Sequence, residues 1–315
     1  MITLREHLEQ YLTLRRALGF QLNDIERQVG LFCGWLEDRG QTTTFSIDDA
    51  VNWARLNPDA HPSWWATRLS LVRRFAAHLN ANGVDVPIIP GALLAAKKPR
   101  AVPYIYSQDD IDALLDACAE TFTDERIAET VRTVIGLLAA TGLRISEALD
   151  LRVDDIDQDN NVLVIKAAKS DERLVPIDET TTTALRRYID LPARAATGPD
   201  PHGPVFVTSK GTGYHYVSFF PLFKRVRDTA GLTPHARARP RLHDLRHTFA
   251  TAHMTAAYAR GGDPERTLSL LATWLGHSDA AHTYWYLTAT GELMTLAAGL
   301  LDTAPPEGRD CCTDR

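Results

Sequence analysis

The chain is short of cysteine, of positive charge and of long apolar runs, and each shortage removes a class of protein. It has four cysteines in 315 residues and no Cys-x-x-Cys pair. That argues against a disulfide framework or a cysteine-held zinc site. Cys33 and Cys118 fall in apolar helical patterns, where a free thiol behaves as a small hydrophobe. Cys311 and Cys312 are adjacent in a polar tail. No apolar run reaches the roughly 20 residues that span a bilayer. The first residues, Met1 to His7, include an acid and lack a long apolar stretch, unlike a secretory signal. A cytoplasmic protein with no membrane partner is expected.

The net charge of −6 excludes a uniformly basic surface. Any polyanion contact must then rest on local patches. One such patch is visible: Lys224, Arg225, Arg227, Arg237, Arg239, Arg241 and Arg246 stand against only Asp228 and Asp244. Acid concentrates elsewhere, as at Asp154, Asp155, Asp157 and Asp159. A basic run is equally well a solvated face.

What remains is an ordinary globular composition, 44% apolar, long enough for two domains at about 150 residues each. Residues 1–85 read as a helical domain. Leu4, Leu8, Tyr11, Leu12 and Leu18 recur at helical spacing, as do Ile25, Val29, Phe32, Trp35 and Leu36, with Gly40 as a stop. Asp48 and Asp49 open a third helix that ends before Pro58. Ser63 caps a fourth, bearing Trp64, Leu69, Val72, Phe75 and Leu79. That fourth helix also carries Arg68, Arg73 and Arg74. Their plain reading is the basic outer face of a core helix; their functional reading is a helix along a DNA groove. Residues 86–103, with four prolines, a glycine and Lys97, Lys98 and Arg100, suit an extended linker that could cross DNA.

The second domain is expected over residues 104–300. Ser107 and the acids after it suit a helix N-terminus, and a long apolar helix ends at Thr141-Gly142. The period then changes. Asn161–Lys166 and Arg173–Ile177 are β-branched runs around a polar turn and predict a hairpin, with Val205–Val207 as a third strand. Phe219–Leu300 reads as helical. The tail, 301–315, is expected to be disordered.

Four segments here hold residues with chemistry. Arg144 follows Thr-Gly-Leu and precedes an apolar turn; a surface pair with Glu147 or Asp150, worth little, is the plain alternative. Lys169 lies at the hairpin tip, with Lys166 three residues away; a turn lysine is usually solvated. His243 and Arg246 are three apart and share a helix face, with Leu245, Phe249 and Ala250 on the core side. His243 and His247 near an aspartate also raise a metal site, but no third ligand stands at the usual spacing. Finally, Leu275-Gly-His277-Ser278 reads as a C-cap glycine followed by an N-cap serine, with Tyr284 and Tyr286 downstream.

Taken in order, Thr-Gly-Leu-Arg144, Glu-Arg-Leu-Val-Pro176, His243-x-Leu-Arg246-His-Thr-Phe-Ala and Leu-Gly-His277-Ser resemble the tyrosine recombinase (phage integrase-like) family. The resemblance covers about residues 104–300, and the helical N-terminal region is similar, less specifically, to that family's core-binding (SAM-like) domain. His277 and Tyr286 stand at the family spacing, which favours Tyr286 over Tyr284 as nucleophile. The resemblance implies a mainly α fold with a small antiparallel β-sheet: a helical core-binding domain plus a mixed α/β catalytic domain. It implies DNA cleavage and rejoining through a 3′-phosphotyrosyl link.

The same resemblance gives roles. His243 is the acid/base group for the tyrosine, Lys169 the general acid for the leaving 5′ oxygen, and His277 a phosphate ligand. Arg144 and Arg246 suit a bidentate clamp on the phosphoryl oxygens. No metal and no other cofactor is expected. The partners expected are double-stranded DNA, contacted also by Arg237, Arg239 and Arg241, and further copies of the chain, as a tetramer in synapsis. Thr-Tyr-Trp-Tyr286-Leu resembles the recombinases of mobile elements. Two alternatives remain at this stage: a non-cleaving DNA-binding protein on the same fold, and a type IB topoisomerase-like enzyme.

Overall fold

A computed structural model describes residues 2–94, 96, 102–166, 172–232, 239–276 and 295. The chain divides into two compact units, Met1–Arg100 and Ala101–Arg315.

The first unit is four helices: α1 (Leu4–Ala17), α2 (Asn23–Glu37), α3 (Ile47–Ala54) and α4 (Pro62–Ala81). Thr3 and Ser46 cap α1 and α3 through reciprocal contacts with Glu6 and Asp49, which satisfy amide donors that the first turn leaves unpaired. The fourth helix begins differently from the expectation. His61, not Ser63, is its cap, and Pro62 takes the first helical position, where its missing N–H costs nothing. The core is Leu4, Leu8, Ile25, Val29, Phe32, Leu36, Trp53, Leu69, Val72, Phe75 and their neighbours. Leu18 and Trp64 belong to the predicted apolar faces but are exposed. Val86 and Ile89, inside the stretch read as linker, are buried in this core.

The second unit opens with α5 (Gln108–Thr121), capped by Ser107 and Asp110, and α6 (Glu125–Thr141). The short α7 (Ile145–Leu149) leads through a 3-10 turn at Val153–Asp155 into β1 (Ile156–Asp157), β2 (Val162–Ile165) and β3 (Arg173–Pro176). The sheet is antiparallel in the order β1-β2-β3, with Leu163 opposite Val175 and Ile165 opposite Arg173. The hairpin expectation holds, but the third strand is not the expected Val205–Val207. It is Ile156–Asp157, beside β2; among the described residues Val205–Val207 is buried backbone, bridged singly at Val207 and at the neighbouring Pro204. A buried apolar triplet looks like a strand by composition whether or not a partner strand lies beside it.

Helices α8 (Glu179–Ile189), α9 (Pro192–Ala195), α10 (Tyr216–Thr229), α11 (Leu242–Ala259) and α12 (Pro264–Leu275) complete the unit. Helix α6 packs against α5 and α11, and α11 against α12. Leu245, Phe249 and Ala250 face the core, as their spacing predicts. Among the described residues no helix is long and apolar enough to cross a membrane.

Candidate active site

Two glycines set the frame. Gly142 ends α6 with φ +64° and Gly276 ends α12 with φ +63°. The left-handed conformation disfavours any other residue. Space agrees at Gly142, where a Cβ would stand 2.6 Å from Cδ1 of Phe249.

Arg144 is the N-cap residue of α7, immediately after this turn. Its backbone amide donates to Glu147 Oε2 (2.9 Å) and its Nη1 to Glu147 Oε1 (2.8 Å). Its Nη2 donates to the Gly276 carbonyl (3.2 Å). The side chain stays 39% exposed, so it is open to a ligand. Pairing with Glu147 was the plain reading of Arg144, as a surface contact of little worth. The partner is in fact buried, with its side chain 6% exposed.

Arg173, at the start of β3, completes the pair's surroundings. Its Nη1 and Nη2 fork onto the two Glu147 oxygens (3.0 and 2.8 Å), and its Nε donates to the Trp274 carbonyl (2.9 Å). Burial pushes the Glu147 carboxyl upward, but the hydrogen bonds from Arg173 and Arg144 outweigh it and hold the group below its ordinary range. Neither Glu147 nor Arg173 was singled out from sequence as a site residue. The only signal was their position inside the two motifs.

Arg246 rises from α11 and is 2% exposed. Its Nη1 donates to the Gly142 carbonyl (2.9 Å) and its Nη2 to the Leu275 carbonyl (2.6 Å). The indole of Trp274 donates to the Thr141 carbonyl (2.9 Å). The C-terminal ends of α6 and α12 are thus fastened to one another through Arg246 and Trp274.

His243 lies one turn before Arg246 on α11 and reaches the surface. The protein packed around its base lowers the imidazole pKa, and the Arg246, Arg241 and Arg144 cations add to that against the opposing Asp244. The ring is therefore held toward its neutral form. His247 meets it edge to face, with ring centroids 5.0 Å apart.

The structure brings Arg144, His243 and Arg246 together as the motifs predicted. Lys169, His277, Tyr286, Lys97, Lys98, Arg100 and Arg237 lie outside the described residues. Lys166, the alternative to Lys169, is engaged by Asp155, whose hydrogen bond raises the lysine's pKa. Arg239 and Arg74 are exposed. Arg241 is turned onto the fully buried Asp244 through Nε (3.0 Å) and Nη2 (2.7 Å). Arg73 is half-buried, with contacts to Gly91 and Ser70. Arg68 corrects the expectation of a DNA-facing basic edge. It is 8% exposed and its guanidinium lies 3.8 Å from the Trp53 ring centroid. A basic residue on a helix can be core when an aromatic face takes its charge.

The mainly helical architecture with its three-stranded sheet is that of tyrosine recombinase catalytic domains. The model of the phage integrase family matches residues 105–292, and the chain belongs to that family. It is 37% identical over 313 residues to the integrase/recombinase y4rB of Sinorhizobium fredii, covering 96% of this chain and 98% of that one. It is 30% identical over 282 residues to tyrosine recombinase XerD of Ralstonia nicotianae, covering 88% and 86%. Among solved structures, the Tn1549 transposon integrase in complex with transposon right end DNA superposes with a TM-score of 0.66 at 16% identity, covering 96% of this chain and all of that one. The protein is an enzyme of the tyrosine recombinase class, and site-specific DNA recombination is its activity.

Proposed function

We propose that the protein binds double-stranded DNA and cleaves one strand through the phenol oxygen of Tyr286. That oxygen attacks the phosphorus and the bond to the 5′ oxygen breaks. A 3′-phosphotyrosyl link and a free 5′-hydroxyl result. The Tyr286 proton passes to His243, and Lys169 gives a proton to the departing 5′ oxygen. Arg144, Arg246 and His277 hold the non-bridging oxygens, whose charge grows in the transition state. Attack by another strand's 5′-hydroxyl reverses the chemistry and rejoins the DNA. The scheme conserves bond energy in the ester and calls on neither ATP nor a metal ion.

The observation that carries this reading is the anchoring of Arg144 and Arg246 on neighbouring carbonyls, Gly276 and Leu275. Two permanently charged forks brought to one helix end are what a phosphoryl clamp requires. The depressed pKa of His243 supports its part as proton acceptor. We place the reaction in a cytoplasmic tetramer on two duplexes, with Arg74, Arg239 and the linker cations on the DNA backbone.

The test is a duplex nicked beside the cleavage position, which traps the covalent adduct. Tyr286→Phe abolishes the adduct and Tyr284→Phe retains it; the reverse pattern would make Tyr284 the nucleophile. A chelator leaves trapping unchanged. Exchange between two duplexes marks a recombinase, whereas relaxation of supercoils without exchange marks a topoisomerase. A wild-type chain that binds DNA and never forms the adduct is a non-cleaving protein.

A further inference from the structure

The last turn of an α-helix leaves its carbonyls without helical donors. At the C-terminal end of α12 and its cap, three consecutive carbonyls are taken by three arginines from three different elements. Trp274 accepts from Arg173 of β3, Leu275 from Arg246 of α11, and Gly276 from Arg144 at the head of α7. Two of these arginines belong to the phosphate clamp proposed above. The third has no assigned part in the reaction.

Arg173 is tied into the protein rather than presented at the surface as Arg144 is. Its side chain is 13% exposed, and each of its three nitrogens has a protein acceptor. Its guanidinium lies close against Gly276, where an added Cβ would stand 2.9 Å from Nη1. It is, however, joined to Arg144 twice over. Both hold Glu147, and both hold the end of α12. We propose that Arg173 is a positioning residue for strand cleavage. It fixes Glu147 and the α12 carbonyls relative to one another, and so sets the place from which Arg144 and Arg246 present their guanidiniums. Displacement of a catalytic group by about 1 Å costs on the order of a hundredfold in rate. A lysine cannot replace this link. Its single compact charge reaches Glu147 or the Trp274 carbonyl, but lacks the planar fork that holds both.

The inference rests on the reading of this cluster as the cleavage centre. The test uses the full-length chain and the nicked duplex that the wild type cleaves, in single turnover with protein in excess. Three quantities are read: the rate constant at saturating protein, the half-saturating concentration, and the adduct amplitude. For Arg173→Lys the rate constant falls at least tenfold, while half-saturation stays within about twofold and the amplitude stays near wild type. Arg173→Gln, which keeps one donor for Trp274, behaves alike. A wild-type rate constant in both variants overturns the proposal. So does a change in half-saturation alone, which would make Arg173 a DNA contact. Loss of amplitude at an unchanged rate constant, or loss of cooperative unfolding in both variants, would assign Arg173 to the fold only. A wild-type chain that forms no adduct would instead sink the cleavage-centre reading itself.

Discussion

Replacing Glu147 by glutamine removes one negative charge and almost no volume. The carboxylate accepts from the Arg144 amide, Arg144 Nη1, and Arg173 Nη1 and Nη2. A glutamine offers one accepting oxygen and turns an amide donor toward guanidinium donors. Breaking a buried ion pair costs about 3–5 kcal/mol, because the surviving charge is left uncompensated. Arg173, 13% exposed, falls in that regime; Arg144, 39% exposed, is screened and adds about 0–1 kcal/mol. Glu147→Gln should therefore lose about 3–4 kcal/mol of unfolding free energy. Urea unfolding of the full-length chain at pH 7 reads this as a lower midpoint at unchanged slope. Acid supplies a second arm. The Glu147 pKa is depressed in the folded protein. Its contribution is thus complete above the unfolded value near 4.3 and is lost as pH falls through the folded value. The gap between wild type and variant should close as pH falls below about 4.3. A gap below about 1 kcal/mol at pH 7, or one that acid leaves untouched, would refute the assignment of Glu147 as a buried charge hub.

Three further outcomes follow from the geometry. Arg68→Ala should destabilise the first unit by about 2 kcal/mol through loss of its desolvated cation–π contact, and should leave the salt dependence of DNA binding unchanged; a slope reduced by about one would return Arg68 to the DNA surface. Lys166→Ala should cleave within about twofold of wild type, since Lys166 is spent on Asp155, whereas Lys169→Ala should be slow and be rescued by sulfur in place of the leaving 5′ oxygen, a group that departs without a proton; the opposite pattern would exchange the two lysines. Cleavage by wild type should be level from pH 8 to about 6.5 and fall below it as the depressed His243 protonates, and a level profile down to pH 5 would remove His243 as the base.

The arrangement of the described candidates, Arg144, His243 and Arg246, follows from sequence features that constrain residue type. A phosphoryl clamp needs arginine, a left-handed helix end needs glycine, and a helix start needs Ser107 or its like. Gly142, Gly276 and Ser107 stand where expected for that reason. What escaped depends on segments far apart in the chain. Glu147 three residues from Arg144 looks like a surface pair until β3 brings Arg173 over it. Arg68 looks like a DNA contact until Trp53 supplies a ring face. Val205–Val207 has strand composition, yet the edge position went to Ile156–Asp157. Burial of a charge and pairing of a strand are decided by neighbours that local spacing does not encode.

The net charge of −6 posed a difficulty for an enzyme that must hold phosphate. The site resolves it by drawing its compensation from the backbone. Arg144, Arg173 and Arg246 bring three permanent cations together, with one carboxylate, Glu147, between two of them. The remaining counter-charge comes from carbonyls at the ends of α6 and α12. A helix C-terminus carries about half a negative charge, so two of them fall short of neutralising what Glu147 leaves, and about one unit of positive charge persists at the cluster. An acidic protein can therefore keep a phosphate site, because helix ends hold its arginines close without cancelling them.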